Sequence, residues 1–255
     1  MRKLAFVLLV MIFALSACTR PVPPVEHENI SLFGDLPLNT YASERFYEKD
    51  GFTRYEDALI GVDVSAHQEE IDWEKVKDSG VEFAILRAAY RGYTNGGLSM
   101  DPYFLQNLKN AKAAGLQVGA YLFSQAISEE EALEEAAFLL ECLGGVSLDL
   151  PVYYDWEPIE ADARTDDVSG AEVTVFAKAF CAAMEEAGYD AGVYFNESMG
   201  YMFLQLSELK DYEFWLAQYK SDPDFYYDFT MWQYSADGEV DGIDAPVDLN
   251  LRFVK

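Results

Sequence analysis

The sequence predicts an α/β protein, an irregular TIM-like β/α barrel whose helical jacket is incomplete in the C-terminal third. Short apolar runs alternate with helix signals from residue 58 onward, which is typical of βα units around a mostly parallel sheet. The last third keeps the apolar runs but loses the helix signals. The length of 255 residues and the hydrophobic share of 51% suit one large domain with its own core.

The strands are predicted from continuous apolar runs, which indicate strands that are covered on both faces. These runs are 58–64, 82–88, 117–123, 150–156, 191–195, 213–217, 229–234 and 247–253. A separate hairpin is expected before them, because Asp50 and Gly51 stand between aromatic flanks in 46–55.

The helices are predicted from start and stop residues at fixed spacing. The signals are Asp101–Pro102 with Gly115, Ser128 with Glu131, and Ser169 with Glu172 and Gly188. The stretches 218–228 and 235–246 are rich in Asp, Gly and Pro and show no helical periodicity. A parallel crossover needs about a dozen residues, so we expect the last strands to be joined without helices and to be partly antiparallel.

The N-terminus is predicted to direct export. Residues 1–17 pair a basic start with an apolar run that is short for a membrane span, which is typical of a signal peptide. The tetrad 15–18, Leu-Ser-Ala-Cys, resembles a bacterial lipoprotein box in which Cys18 becomes the lipidated first residue. An incidental cysteine after an ordinary signal is the alternative. We expect a lipid-anchored tether and hairpin extension in 18–57, the barrel in 58–255, and anchoring on the outer face of the bacterial cell membrane.

Charge and residue counts exclude several classes of function. The 18 basic and 45 acidic residues give a net charge of -27, which repels a phosphate backbone, so nucleic-acid binding is not expected. Two His rule out a three-histidine zinc site, and three Cys rule out a disulfide framework. Cys142 and Cys181 fall on apolar helix faces and are predicted to be free thiols. We expect no cofactor, no metal and a monomer.

Four carboxylates at strand ends are expected to meet at one rim of the barrel. Asp63 lies near the end of the first strand, and Asp155 and Glu157 end the fourth. Asp248 begins the last strand and reaches the same rim if that strand is antiparallel. Asp155 and Glu157 share a face, with Cβ atoms about 6.5–7 Å apart, so one of them should stay protonated and serve as a general acid. Solvated carboxylates at a surface strand end are the alternative.

Aromatic and amide side chains at the same strand ends point to a sugar, whose ring has apolar faces and polar edges. The aromatic share of 15% is high and fits such a use. The predicted substrate-binding residues are Tyr121, Tyr194, Asn196, Trp215, Gln218, Trp232, Tyr234 and Arg87, with Tyr219 and Gln233 beside them. Phe123 is expected to belong to the core. Arg87, alone on an apolar strand, is expected to pair with one of the rim carboxylates.

The stretch 61–90, GVDVSAHQEEIDWEKVKDSGVEFAILRAAY, resembles the opening of glycoside hydrolase family 25, the N-acetylmuramidase lysozymes. GAYLFSQA, PVYYDWE, GVYFN, WLAQY, MWQYS and VDLN are similar to later segments of that family in the same order, so the resemblance covers roughly 58–255. It implies an irregular β/α barrel that hydrolyses peptidoglycan between N-acetylmuramic acid and N-acetylglucosamine. It places the acidic cluster of the family on Asp63, Asp155, Glu157 and Asp248. The family often has His where Leu122 stands.

The resemblance also implies a mechanism, with Glu157 as the proton donor. Some glycosidase families use the N-acetyl group of the substrate as the nucleophile, and the D-x-E arrangement resembles those. Glu157 is then acid and base in turn, and Asp155 orients the acetamido group or stabilises the oxocarbenium-like state. Asp63 and Asp248 hold the sugar and tune the pair.

Two other interpretations stay open at this stage. One is a non-catalytic, peptidoglycan-binding surface lipoprotein on the same scaffold, and the other is an enzyme for a different N-acetylated polysaccharide. A metal-dependent deacetylase is disfavoured by the shortage of His. The expected partner is the glycan strand of peptidoglycan, with membrane contact through the N-terminal lipid only.

Overall fold

The computed structural model describes residues 35–254. The strands of this part are β1 (Tyr47–Lys49), β2 (Phe52–Arg54), β3 (Ala58–Val64), β4 (Phe83–Arg91), β5 (Leu98–Met100), β6 (Gln117–Ser124), β7 (Val152–Trp156), β8 (Ala191–Asn196), β9 (Glu213–Ala217), β10 (Met231–Gly238) and β11 (Val247–Phe253). The α-helices are α1 (Trp73–Asp78), α2 (Phe104–Ala113), α3 (Glu129–Leu143), α4 (Gly170–Glu186) and α5 (Glu197–Met202).

Eight of these strands form a closed barrel in the order β3, β11, β10, β9, β8, β7, β6 and β4, with β4 pairing back to β3. Neighbouring strands are parallel except at β11, which is antiparallel to both β10 and β3. The connection 239–246 contains no helix and is too short for a parallel crossover, so the chain turns back instead. The predicted barrel with an incomplete helical jacket is confirmed.

Capping residues set the starts of the longer helices. Ser169 and Glu172 form the predicted capping box of α4, and Gly188 follows its end with a φ of 89°. Ser128 also caps α3 as predicted. The Glu131 carboxylate does not bind the N–H of Ser128, which differs from the prediction. It accepts the backbone N–H of Ile127 and binds the Arg164 guanidinium in the β7–α4 loop.

Different parts of the chain cover the two sides of the barrel. Helices α2, α3 and α4 pack on β4, β6, β7 and β8. On the opposite side, residues before the barrel supply the cover. The Tyr41 ring stacks on Phe253 at 3.8 Å between centroids, and its hydroxyl donates to the Phe229 carbonyl at 2.8 Å. The Phe46 ring meets Trp232 edge to face at 5.4 Å. This aromatic strap replaces the helices that β10 and β11 lack.

Two smaller expectations, on the hairpin and on the cysteines, also have outcomes in the structure. The hairpin of β1 and β2 turns at Asp50 and Gly51, whose φ values are 53° and 81°. Cys142 and Cys181 are free thiols, as predicted. Within residues 35–254, no helix has the length and apolar character needed to cross a bilayer.

The interior of the barrel is filled by large rings opposite glycines. Phe83, Tyr153 and Trp215 are buried inside it. Any side chain at Gly61 would collide with the Phe83 ring, and one at Gly192 would collide with the Tyr153 ring. Side chains therefore fill this part of the barrel interior, as expected for a barrel of eight strands.

An ion pair closes the N-terminal end of the barrel. Arg252 of β11 binds the Glu213 carboxylate through two nitrogens, at 2.6 and 2.8 Å. The same guanidinium donates to the Tyr153 hydroxyl at 3.1 Å, and the Thr230 hydroxyl donates to Glu213 at 3.0 Å. Burial alone raises the pKa of Glu213, but the hydrogen bonds and charge of Arg252 outweigh it and leave the pKa below its ordinary value.

Candidate active site

A pocket of about 240 Å³ opens at the C-terminal ends of the parallel strands. It is lined by Asp63, Tyr121, Phe123, Asp155, Glu157, Tyr194, Trp215, Tyr219, Gln233 and Asp248. The four predicted carboxylates therefore lie in one pocket. Asp248 reaches it because β11 is antiparallel, which pairs Asp248 at the start of that strand with Asp63 of β3.

Asp155 and Glu157 form the first carboxyl pair. Asp155 lies on the inward face of β7, Glu157 follows the end of that strand, and a hydrogen bond joins the two side chains. Burial raises the pKa of both, and the charge of Glu157 raises that of Asp155 further. The hydrogen bond with Asp155, and more weakly one with Asn196, opposes the rise in the pKa of Glu157. Two buried carboxyls this close oppose each other's ionisation, so the pair favours a state that retains a proton.

The two members of that pair differ in their surroundings. Asp155 is only 6% exposed, and its Oδ1 is buried without a hydrogen-bond partner in the described part of the chain. Glu157 is only partly buried and has a longer side chain, so it reaches nearer the mouth of the pocket. An unpartnered buried acceptor is costly unless a ligand supplies the missing donor. Asp155 is therefore suited to accept from a bound N–H or O–H group.

Asp63 and Asp248 form the second carboxyl pair. The Asp63 Oδ2 accepts from Gln233 Nε2 and from Asn250 Nδ2, both at 2.8 Å. Burial raises the pKa of Asp63 well above its ordinary value, the charge of Asp248 adds to this, and the two amide donors oppose it. Burial also raises the pKa of Asp248 to about 6, although a hydrogen bond to Asp63 opposes that rise.

The aromatic wall contains the predicted residues Tyr121, Tyr194 and Trp215 together with Tyr219. Trp215 is 1% exposed and packs edge to face against the rings of Tyr121 and Tyr194, so it forms the floor rather than an open stacking surface. Tyr219 is 57% exposed and presents the open ring of the pocket. Phe123 also lines the pocket, and its assignment to the core was wrong.

Trp232 and Gln218 do not line the pocket, contrary to the prediction, and Tyr234 lines a neighbouring cavity that shares Tyr219 with it. The register of β10 against β9 explains why the two aromatic side chains lie outside this pocket. Met231 pairs with Trp215 across β9 and β10, so Met231 and Gln233 point inward, whereas Trp232 and Tyr234 point outward beneath the aromatic strap. Gln218 is occupied in a turn, where its carbonyl accepts from Trp232 Nε1 at 2.7 Å and its amide donates to Asp224 at 2.8 Å.

Arg87 points toward the pocket but pairs with none of the four carboxylates. Its Nε and Nη2 both lie 2.9 Å from Oδ2 of Asp101, which also accepts the backbone N–H of Ala66 at 2.9 Å. The predicted rim partner was therefore wrong. The other carboxylate oxygen of Asp101, Oδ1, still accepts the backbone N–H of Tyr103 at 2.9 Å, but α2 begins at Phe104 rather than at the Asp101–Pro102 step.

Sequence reasoning missed two buried amides. Asn250 shares the inward face of β11 with Asp248, and this spacing of two residues could have revealed it. Gln125 follows β6 and is fully buried. It donates to the backbone carbonyl of Glu157 at 2.8 Å and accepts from the Thr165 hydroxyl at 3.1 Å, which fixes the strand end that carries Glu157. No spacing in the sequence signals that contact.

The remaining predicted residues have simple outcomes. Asn196 lies beside Glu157, and its side chain also accepts from the N–H of Met199 at 3.0 Å to cap α5. Cys18 lies outside the described residues. Within residues 35–254, no group of three or more His, Cys, Asp or Glu side chains is arranged to hold a metal ion.

Comparison with protein families gives a match over most of the barrel. The profile described as "Glycosyl hydrolases family 25" matches residues 62–243. The uncharacterized protein YegX of Escherichia coli (strain K12) is 30% identical over 202 residues, which are 76% of this chain and 69% of YegX. The autolytic lysozyme of Clostridium acetobutylicum is 29% identical over 193 residues, which are 75% of this chain and 55% of that enzyme.

Comparison with solved structures agrees with the sequence match. The bacterial lysozyme of Streptomyces coelicolor superposes with a TM-score of 0.62 at 27% identity, covering 77% of this chain and 92% of that one. The spore cortex lytic enzyme SleM of Clostridium perfringens superposes with a TM-score of 0.68 at 22% identity, covering 78% of this chain and 68% of that one. The second likeness concerns the fold alone.

Proposed function

The chain belongs to glycoside hydrolase family 25, and from this premise we propose that it is a lysozyme that cleaves the bond between N-acetylmuramic acid and N-acetylglucosamine in peptidoglycan. The observation that carries the proposal is the set of four carboxyls in one pocket, in two hydrogen-bonded pairs. Such pairs supply what glycoside hydrolysis needs, a protonated carboxyl beside an ionised one.

Glu157 is the general acid in this proposal. Burial raises the pKa of its carboxyl and favours the protonated form, although the hydrogen bond with Asp155 opposes that rise. It lies nearer the mouth of the pocket than Asp155 and can reach the oxygen of a scissile bond. Gln125 holds its backbone and Asn196 holds its carboxyl, which limits the positions that the acid can take. After the bond breaks, the same carboxylate takes a proton from the incoming water.

Asp155 orients the acetamido group of the substrate. Its unpartnered Oδ1 needs a donor, and the N–H of an N-acetyl group supplies one. That hydrogen bond turns the acetamido oxygen toward the anomeric carbon and lets the substrate act as its own nucleophile. Asp63 and Asp248 bind the sugar from the opposite wall, and the ring of Tyr219 packs against an apolar sugar face.

Mass spectrometry of digested wall tests this proposal. Purified peptidoglycan is treated with the protein, and the new reducing ends are reduced with borohydride and identified. We expect muramic-acid ends. Glucosamine ends would contradict the assigned bond, and binding to insoluble wall without new ends would favour the non-catalytic alternative. An N-acetylated polysaccharide without muramic acid is the matched control substrate and should stay intact.

We also propose that the protein is exported as a lipoprotein and acts as a monomer on the outer face of the bacterial cell membrane. The lipoprotein-like tetrad that ends at Cys18 supports this location. Expression of the full chain in a bacterium with a labelled fatty acid tests it. Label should enter the wild-type protein and be absent from Cys18→Ser, and equal labelling would contradict the anchor. Sedimentation of the lipid-free protein measures the oligomeric state.

A further inference from the structure

We infer that Asn250, with its amide oriented by the indole of Trp215, is a positioning residue for Asp63 that blocks one carboxyl oxygen to protonation and aims the proton of the pair at Asp248. The inference rests on the proposed function, because it assigns a task within the same pocket. It adds a role for two buried neutral side chains behind the carboxyls, those of Asn250 and Trp215.

The orientation of the Asn250 amide follows from the chemistry of its neighbour. An indole nitrogen can only donate a hydrogen bond. Trp215 Nε1 lies 2.8 Å from Asn250 Oδ1, so that atom must be the carbonyl oxygen. The amide nitrogen is then directed at Asp63 Oδ2, also at 2.8 Å. Asn250 is 0% exposed, so water does not offer either end of the amide another partner.

Gln233 donates a second hydrogen bond to the same oxygen, but its tyrosine partners do not fix the orientation of its own amide. Its Nε2 lies 2.8 Å from Asp63 Oδ2, and its Oε1 receives the hydroxyls of Tyr194 at 3.1 Å and Tyr219 at 2.9 Å. Hydroxyls can donate or accept, so these tyrosines alone would tolerate a flipped amide. Asn250 removes that freedom, because its donor already makes Asp63 Oδ2 an acceptor.

With two donors in place, Asp63 Oδ2 cannot carry a proton. The proton in the hydrogen bond between Asp63 and Asp248 is therefore confined to Asp63 Oδ1 or to Asp248. A proton held by the pair therefore has a fixed orientation. The charge of Asp248 acts on Glu157 in the same pocket and raises the pKa of that carboxyl.

The other groups around Asp63 do not replace this amide. The titratable or charged side chains that face it are Asp248 of β11, Asp155 and Glu157 at β7, Tyr121 of β6, Tyr194 of β8 and Tyr219 after β9. All of them are acids, and the nearby cation, Arg87 of β4, is paired with Asp101. Neutral amide donors are thus the groups that oppose the upward shift in the pKa of Asp63.

The test compares two tryptophan–asparagine pairs in the same protein. Asn250→Leu removes the donor, and Trp215→Phe removes the group that orients it. The control variants are Asn107→Leu and Trp73→Phe, because Trp73 Nε1 donates to Asn107 Oδ1 at 3.1 Å between buried side chains away from the pocket. Each variant is assayed on peptidoglycan for the pH dependence of kcat/KM and for its melting temperature.

The Asn250 amide opposes the rise in the pKa of Asp63, so its loss should move the acid limb of kcat/KM upward by about one pH unit in Asn250→Leu. It should move upward by less in Trp215→Phe, and it should not move in either control. A lower melting temperature with an unmoved limb in Asn250→Leu would overturn the inference, because a merely structural amide predicts that result.

A second measurement separates this inference from the proposed function. Carbon-13 resonances of the aspartate carboxyls are followed against pH in wild type and Asn250→Leu, with Asp63 assigned through Asp63→Asn. The Asp63 titration should move to higher pH in Asn250→Leu whether or not the protein cleaves wall. An unchanged titration would overturn the inference even if the enzyme proves to be a muramidase.

Discussion

The two ends of the barrel interior hold carboxylates under opposite conditions. At the N-terminal end, Glu213 receives two hydrogen bonds from Arg252, and its pKa lies below the ordinary value. At the C-terminal end, Asp63, Asp155 and Glu157 have no cation bonded to them, and burial raises the pKa of each, although the charge of Arg87 opposes the rise at Asp155. The difference is the presence of a cation within hydrogen-bond reach.

This contrast separates stability from chemistry. A buried carboxylate with a bidentate guanidinium stays ionised and holds the strands in place. A buried carboxyl without a cation either keeps its proton or destabilises the fold, and that is the state that a general acid requires. Carboxyls at one end should therefore matter for folding, and carboxyls at the other end should matter for catalysis.

Glu157→Gln should have the largest effect, and it should fall on activity. Removing the proton donor is expected to lower kcat on peptidoglycan by about 10²- to 10⁴-fold, measured from released reducing ends. The melting temperature should stay the same or rise, because a neutral amide suits the buried site better than a carboxyl with a raised pKa. Near-normal activity in this variant would remove Glu157 from the role of acid.

Glu213→Gln, at the N-terminal end of the barrel, should lower stability and leave activity nearly unchanged. It leaves the Arg252 guanidinium without its counter-ion, and because the pair is only partly buried, the loss should cost about 1.5–3 kcal/mol of unfolding free energy. Guanidinium or urea melts measure this loss. The kcat of the folded fraction should remain within about twofold of wild type, because the pair lies at the far end of the barrel.

A double variant is the control for that interpretation. Glu213→Leu with Arg252→Met replaces both charges by apolar groups and should recover much of the lost stability. If the double variant is no more stable than Glu213→Gln, the loss came from packing around Tyr153 and Thr230 rather than from the unpaired charge.

The pH dependence of stability should also differ between the two ends. Asp248 has a pKa of about 6 in the fold against an ordinary value of 3.8. Its folded form binds the proton more tightly than the unfolded chain, so its contribution is fully present below pH 3.8 and is lost as pH rises through about 6. Asp248→Asn should therefore flatten the unfolding free energy between pH 4 and 6.5 by about 2 kcal/mol.

Glu213 supplies the opposite slope as a control, since its lowered pKa means that its contribution is lost as pH falls. Chemical melts of wild type, Asp248→Asn and Glu213→Gln at several pH values separate the two contributions. An unchanged slope in Asp248→Asn would show that this carboxyl is not protonated in the fold at pH 5.

Much of the pocket could be predicted from the sequence, because the carboxylates follow strand ends and alternate with period two. Asp155 and Glu157 are visible in that way, and Asp248 needs only the short connection that makes β11 antiparallel. Trp232 and Tyr234 could not be placed, because MWQYS offers plausible residues on both faces. The choice depends on the register of β10 against β9, which is a tertiary fact.

Polar partners were harder to predict than positions. Arg87 had several acidic candidates, and its actual partner Asp101 lies in the loop after β5 rather than at a barrel strand end. Gln125 binds a backbone carbonyl, a group that every residue carries, so no residue type marks the contact in advance. Hydrogen bonds to side chains far along the chain are decided by packing, which a periodic pattern does not encode.

Salt should have the smallest effect, and it should act on neither end of the barrel. The net charge of -27 repels a substrate that carries acidic groups of its own, and exposed charges are screened over about 10 Å at 0.1 M salt. Raising ionic strength from low to moderate values should therefore increase kcat/KM by about twofold to fivefold. The pH limbs should stay in place, because buried carboxyl pairs are screened much less.

Peptidoglycan stripped of anionic secondary polymers is the matched substrate for this measurement. The gain with salt should shrink on it, since less like charge remains to be screened. A rate that only falls with added salt would show that attraction brings the substrate to the pocket, and the source would then be a cationic surface. Four arginines of the described chain argue against this, because Arg87, Arg91, Arg164 and Arg252 are each engaged by a carboxylate. Binding must then depend on the shape of the pocket and on open rings such as Tyr219.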